Sequence, residues 1–459
     1  METKNLSENR MGTAKIPSLI LKMSFPMMLS MLAMALYNVV DSVFVSQVSE
    51  NSLTAVTLAF PFQMLIVSVG VGTGVGINSL VARRLGEKRQ EEAENVAMNG
   101  QFITVISAFI FTLIFAFFTP NLIGFFDPDP ETFELSVSYL SICGTLCAFT
   151  MIDAASHKTL QATGDMIHPM IVQLAGALTN IVLDPILIFG YLGFKPMGVA
   201  GAAWATVAGQ FVSMVLAVYF LYRKKNTLLR MRFKGFKPNL SIIKEIYAVG
   251  LPSIVMQAIG SVTTFGLNAI LINFSNTAVN VLGVYFKLQS FVFMPVFGLN
   301  SGAMPVMGYN YGAKNKTRLM DALKYSLLYA LIIMCIGTAI FQLLPQFLLS
   351  IFNPSPDMIE MGVAAFRSIS LCFPLAAGGI MLSTLFQAIG RGVLSLIISL
   401  CRQLILILPV AYLLSVVLSF GPNGVWYSYP IAECAALILS ILFTVSTYNS
   451  RIKYLSPDM

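Results

Sequence analysis

The chain reads as twelve long apolar runs separated by short polar stretches, at about 18–45, 53–80, 97–119, 134–156, 167–190, 199–222, 243–272, 279–306, 319–343, 361–387, 393–417 and 424–447. Each is long enough for the roughly 20 residues a helix needs to cross a hydrocarbon core about 30 Å thick. Backbone polar groups in lipid must be satisfied within the spanning element, so the runs predict transmembrane helices. The short alternating strands of a membrane barrel do not occur. The polar start, 1–17, lacks a short apolar core followed by a small-residue cleavage site. No removable signal peptide is therefore expected, and the first span stays in the product.

Charge between the runs is lopsided. One set of alternate loops holds Arg83, Arg84, Lys88 and Arg89, Lys158, the run from Arg223 to Lys237, then Lys314, Lys316, Arg318 and Arg391, with Lys195 alone in the opposite set. The positive-inside rule then places both termini in the cytoplasm of a multi-pass cell-membrane protein. Composition agrees: 56% of residues are hydrophobic and 11% charged, against about 25% charged in a soluble chain. The net charge of +7 sits in those loops, so it predicts contact with anionic lipid heads and no nucleic-acid partner.

The runs also repeat. Pro26 recurs as Pro252, and 252 − 26 = 226. The same offset carries Gly72 to Gly298, Gly76 to Gly302, Gly86 to Gly312, Lys88 to Lys314, Phe126 and Pro128 to Phe352 and Pro354, and Gln161-Ala162-Thr163-Gly164 onto Gln387-Ala388-Ile389-Gly390. Duplication of this kind marks secondary transporters. Six spans per repeat is an even number, so the halves enter the membrane in the same sense, as parallel repeats. The expected organisation is a cytoplasmic tail at 1–17, an N-lobe at 18–222, a basic linker at 223–242, a C-lobe at 243–447 and a second tail at 448–459.

Ionisable groups at membrane depth cost at least about 2.5–3.5 kcal/mol each and need a reason. Asp41 follows Asn38 by three residues on one helix face, and Asn180 and Asp184 share a face at i, i+4. Pro185, directly after the acid, removes a backbone donor, and Pro26 and Thr206 complete the unusual set. Under the repeat offset the partners of Asp41, Asn180 and Asp184 are Leu267, Leu406 and Val410, so the acids are an addition to one half. They suit a shared proton or a small hard cation held through oxygen, or else polar glue between helices 1 and 5.

The second half carries Lys287, Arg367 and Arg402, with Glu433 in span 12. Arg367 is near enough to a helix end to snorkel. Lys287 and Arg402 either pair with Glu433 or face a polar cavity, and with Gln161 they are the expected substrate-cavity residues. The glycine ladder Gly70, Gly72, Gly74 and Gly76 reads as close helix packing. Cys143 and Cys147 read as small packing residues, and His157 and His168, flanking a cytoplasmic loop, have no nucleophile or metal-ligand company, so no enzyme is expected.

With these motifs the chain resembles the multidrug and toxic compound extrusion (MATE) transporters, above all compact prokaryotic members. The resemblance rests on the Pro-containing span 1 with Asp41, on VARRLGEKRQEEAENV from Val81, LQATGD from Leu160, NIVLDPILIFG from Asn180, GVAGAAWAT from Gly198 and MGYNYGAKN from Met307. It implies an all-α fold of twelve helices in two pseudo-symmetric, V-shaped six-helix lobes. It also implies export of lipophilic, cationic drug-like molecules by antiport with H+ or Na+ through alternating access. In members with this N-lobe pattern the coupling cation sits on residues that fall here on Asp41, Asn180, Asp184 and Thr206, with Asn38 beside them and Pro26 and Pro185 as hinges. Other members place coupling acids in spans 7 and 10, where this chain has none at membrane depth. No cofactor beyond the coupling ion is implied; membrane lipids are the other partners, and a monomer is expected. The alternative is a flippase for lipid-linked precursors, or an exporter of anionic metabolites, within the same superfamily.

Overall fold

A computed structural model describes residues 10–126, 128–223, 229, 231, 236–352 and 354–455, with the side chains of 38, 39, 41–43, 46, 50 and 223 outside that description. The described residues are mainly helical and contain no strand. The first half folds as α1 (Ile16–Ser46), α2 (Glu50–Gly86), α3 (Gln90–Gly124), α4 (Pro130–Thr145), α5 (Ala148–Ala162), α6 (Ile167–Phe189) and α7 (Gly198–Arg223). The second half repeats the series as α8 (Leu240–Leu271), α9 (Asn276–Gly312), α10 (Lys316–Leu343), α11 (Pro356–Ser370), α12 (Phe373–Ala388), α13 (Gly392–Val417) and α14 (Pro422–Thr447). The linker expected at 223–242 lies largely outside the described residues, and α8 already begins at Leu240. Helix α3 shows what solvent the fold is made for, leaving Val105, Ile106, Phe109, Leu113 and Phe117 exposed. A stripe of that size belongs in lipid.

The repeat persists down to caps and turns. Ser49 Oγ accepts the Ser52 N–H at 3.0 Å, and Ser275 Oγ, 226 residues on, accepts the Ala278 N–H at 3.1 Å. Asp129 caps Thr132 as Ser355 caps Met358. Such caps satisfy donors a helix start leaves open. The turns after α2 and α9 place Lys88 and Lys314 at φ of 60° and 55°.

Among the described residues ten helices are long and apolar enough to cross a membrane, and two pairs of helices, each bent by 45°, reach the same length and hydropathy when taken as one broken span each. The continuous spans expected at 134–156 and 361–387 are thus corrected to α4–α5 and α11–α12. The bend is tolerated because the carbonyls it opens are re-satisfied by hydroxyls from neighbouring helices. Thr112 of α3 donates to the Thr145 carbonyl at 3.0 Å, and its repeat partner Thr338 of α10 shares its hydroxyl hydrogen between the Ser370 carbonyl at 3.1 Å and the Met334 carbonyl of its own helix at 2.9 Å. Thr338→Val removes that donor at constant shape and is expected to cost about 1–3 kcal/mol, whereas Thr338→Ser stays near wild type. Thermal unfolding of the two purified variants checks the difference.

By its contacts the chain forms two compact units: unit 1 comprises Met1–Met28 and Val255–Met459, and unit 2 comprises Leu29–Ile254. The units differ from the sequence halves at their first helices. The boundary residues Met28 and Ile254 are again 226 apart, each two positions past a helix proline, Pro26 or Pro252. In unit 1, Ser24 Oγ donates to the Leu299 carbonyl at 3.3 Å, and a Cβ on Gly302 would lie 2.7 Å from the Ser24 nitrogen. In unit 2, a Cβ on Gly72 would lie 2.7 Å from the Ile254 nitrogen. The glycine ladder therefore packs helix backbones together, as its spacing suggested.

The core of unit 2 gathers Ala59, Ile66, Phe115, Tyr139, Cys143, Cys147 and Met151 with Ile188, Val199 and Val207. Cys143 and Cys147 are buried in it, as packing residues.

Candidate functional site

The buried face of α6 recurs every four residues: Val172, Gly176, Asn180, Asp184 and Ile188. That spacing follows the helical period closely enough to hold one stripe against one neighbour. The neighbour is α7, which presents small residues to it. A Cβ on Gly209 would lie 2.7 Å from the Gly176 carbonyl oxygen, and one on Gly201 would lie 2.5 Å from that of Leu187. Backbones this close bring polar side chains within reach across the helix pair. Asn180 Nδ2 donates to Thr206 Oγ1 at 3.3 Å, and all three of Asn180, Asp184 and Thr206 are buried, Asp184 to 0% exposure.

Asn180 Oδ1 is buried and accepts no hydrogen bond from the described residues. The stripe thus sets an amide oxygen, a hydroxyl oxygen and, one turn on, a carboxylate inside apolar surroundings. Oxygen donors of this type hold a hard cation, and a carboxylate among them is a natural proton acceptor. Pro185 sits within α6 and offers no N–H to the Ile181 carbonyl, which adds a further oxygen at the same level.

Helix α1 docks on α6 near this stripe. Ser30 Oγ donates to Gln173 Oε1, and Gln173 Nε2 lies 4.0 Å from Met34 Sδ. Asp41 follows Ser30 by eleven residues (41 − 30), as Asp184 follows Gln173 (184 − 173). Eleven residues make about three helical turns, so both positions return to the faces on which Ser30 and Gln173 meet. The side chains of Asp41 and Asn38 themselves lie outside the described residues; their backbones are in α1.

The other expected residues do not gather at this stripe. Gln161 is buried in α5 and accepts from Lys158 Nζ at 3.1 Å. Lys287 is exposed on α9, 6.0 Å from the centre of the Phe352 ring, and Arg367 is exposed on α11. Arg402 pairs with Glu433 at 3.0 Å across α13 and α14 in unit 1. The loop expected around His157 and Lys158 is instead the last turns of α5, where His157 is buried.

One acid escaped the sequence reading. Asp153 lies on α5, four residues before His157 and eight before Gln161, and its Oδ1 is buried with no hydrogen-bond partner among the described residues. The signal was available: an acid inside an apolar run, on the helix face of a histidine and a glutamine.

The family model for MatE matches residues 26–186 and, a second time, residues 252–413. The chain belongs to the MatE family. The two matches to the MatE model open at Pro26 and Pro252, on the offset that the sequence and the caps already share. Among curated relatives, the multidrug export protein MepA of Staphylococcus haemolyticus (strain JCSC1435) is 26% identical over 425 residues, 92% of each chain. A solved outward-facing multidrug resistance MATE family transporter of the MOP superfamily superposes with a TM-score of 0.93 at 29% identity, covering 97% of this chain and 99% of its own. A MOP superfamily transporter from Pyrococcus furiosus Vc1, for which reverse polarity of the binding pocket suggests a different function, superposes with a TM-score of 0.91 at 29% identity over 98% of each chain. As a MatE protein with this helix pattern, the chain is a multi-pass membrane transporter.

Proposed function

We propose that this transporter is a secondary active multidrug exporter, moving lipophilic cations outward by antiport with H+ or Na+ through alternating access. The observation that carries the reading is the buried Asn180–Thr206 contact with Asp184 one turn away, in a repeat whose other copy holds Leu406, Ala432 and Val410 at the same positions. Shared ancestry accounts for the scaffold, and the unshared oxygens are what one unit adds to it. Names of relatives such as MepA support multidrug export as the activity.

In this reading a proton or sodium ion from outside reaches Asp184, Asn180 and Thr206, with Asp41 completing the set. Neutralising the acids changes what α1, hinged at Pro26, and α6, at Pro185, prefer, and substrate leaves. Release of the cation to the cytoplasm resets the unit for reloading, so the two binding events are reciprocally linked. Both termini are cytoplasmic in this arrangement, and the protein sits in the cell membrane as a monomer.

A second reading has its own observation. Arg402 lines a cavity in unit 1, and reverse polarity of the binding pocket suggests a different function for the Pyrococcus relative; for this chain the second reading is an anion exporter or lipid-linked flippase of the same superfamily.

The test is efflux of a fluorescent lipophilic cation from proteoliposomes, first under an imposed proton gradient and then under a sodium gradient. Flux that follows one gradient supports antiport and names the ion. No flux under either gradient overturns the cation-exporter reading and favours the second.

A further inference from the structure

The two units differ most at equivalent helix pairs. In unit 2, α6 and α7 meet through Gly176 and hold Asn180 against Thr206. The repeat partner of Gly176 is Arg402 (402 − 176 = 226), and in unit 1 it reaches across from α13 to Glu433 of α14. Helix α13 also differs in backbone here: Cys401–Ile407 forms π-helix where α6 is regular. Such turns recur at functional sites because they cost backbone geometry and persist where that geometry is used.

Arg402 and Glu433 line a cavity of about 120 Å³, whose wall is made wholly of unit 1 residues. Asn300, Ser399 and Gln387 supply further polar groups, and Phe297 and Ile380 an apolar side. The guanidinium is half used. Nη1 donates to Glu433 Oε1 at 3.0 Å, while Nε is buried and has no hydrogen-bond partner among the described residues. A buried donor on a permanently charged group is costly to leave unpaired. The Nε edge of a guanidinium is a planar fork that matches a carboxylate in bidentate geometry.

We propose that this cavity is a binding site for the carboxylate of a small amphipathic organic acid or zwitterion, held on the Nε edge of Arg402. Glu433 is a positioning residue: it fixes the guanidinium through Nη1 at the wall of the cavity. It also sets the ligand's charge. Arg402 and Glu433 together are neutral, so a monoanion leaves the site at one net negative charge, whereas a phosphate dianion doubles the repulsion from Glu433. The apolar side takes the rest of the molecule. The proposal deepens the second reading, the anion exporter, by naming a class of substrate, and rests on that reading only for the transport of the bound acid, not for its binding.

The test is calorimetric titration of the purified full-length chain with 4-phenylbutyrate and with its neutral isostere 4-phenylbutyramide. Wild type is expected to prefer the carboxylate by at least about tenfold, roughly 1.4 kcal/mol. Arg402→Gln abolishes the preference and leaves the amide affinity unchanged; Arg402→Lys, lacking the fork, recovers only part of it. Because Arg402→Gln strands Glu433, the paired Arg402→Leu/Glu433→Leu variant repeats the measurement with no buried charge, a replacement that buried ion pairs tolerate well. Equal affinity for both probes in wild type, or a carboxylate preference that survives in either neutral variant, overturns the proposal. The assay reads binding in detergent, so its failure leaves gradient-driven flux untouched, and absence of flux leaves the binding result standing.

Discussion

Asp184→Asn is expected to abolish gradient-driven efflux while leaving the protein as stable as wild type or slightly more so. The two side chains have nearly the same shape, and asparagine keeps a carbonyl oxygen and gains a donor. What it loses is the charge and the ability to carry a proton. Asp184 is fully buried on the α6 stripe beside Asn180 and Thr206, and a carboxylate held there costs at least about 2.5–3.5 kcal/mol on insertion scales. Removing that cost is neutral or favourable for folding. In the proposed antiport the substitution takes away the free-energy difference by which cation binding drives transport, and a loss of about 3 kcal/mol corresponds to a rate reduction of roughly a hundredfold. The polar-glue alternative makes the opposite forecast, because asparagine bridges helices as well as aspartate does. Flux within about twofold of wild type, with an unchanged unfolding midpoint, would assign Asp184 to glue.

Much of the architecture was open to view in the chain itself. Hydropathy located the spans, because lipid demands about 20 apolar residues for each, and the 226-residue offset announced two related halves. The bends at Thr145 and Ser370 were hidden, because a hydropathy window averages over the break. What permits each bend is a hydroxyl from another helix, Thr112 or Thr338, some 30 residues away. The assignment of the first helix turns to the other half's unit was hidden for the same reason. Pro26 and Pro252 mark the place, but the partners of the preceding turns, Gly298 and Gly302 for α1, are distant in sequence.

The candidate site was legible where it obeyed local periodicity and obscure where it did not. Asn180 and Asp184 share a face by i, i+4 spacing alone. Thr206 joins them because Gly176, Gly201 and Gly209 let α6 and α7 approach closely. The choice left open for Arg402, ion pair or cavity, dissolves in the structure, since Arg402 both pairs with Glu433 and lines a cavity. Lys287, its equal in the sequence, is exposed, because α9 turns position 287 away from the buried face that carries Tyr285.

Gly302→Leu is expected to prevent accumulation of folded protein, and the contrast with Gly283, on the same helix, makes the expectation specific. At Gly302 a Cβ would lie 2.7 Å from both the nitrogen and the Cα of Ser24. Backbone cannot swing aside as a flexible side chain can, so even alanine forces α1 away from α9 and strains the Ser24–Leu299 hydrogen bond. Overpacking of a tight contact by a single methyl costs about 1–3 kcal/mol, and the three further carbons of leucine have nowhere to go. At Gly283 a Cβ meets nothing within 4 Å, so Gly283→Ala gains up to about 1 kcal/mol of helix propensity. Thermal unfolding of Gly302→Ala, Gly302→Leu and Gly283→Ala in detergent separates the two sites. If Gly302→Ala unfolds no earlier than Gly283→Ala, the α1 turns before Met28 do not depend on that glycine contact. The assignment of those turns to unit 1 then loses its physical basis. If it unfolds well below, the α1 turns up to Met28 are anchored on α9 by backbone packing at Gly302, which gives their place in unit 1 its physical basis.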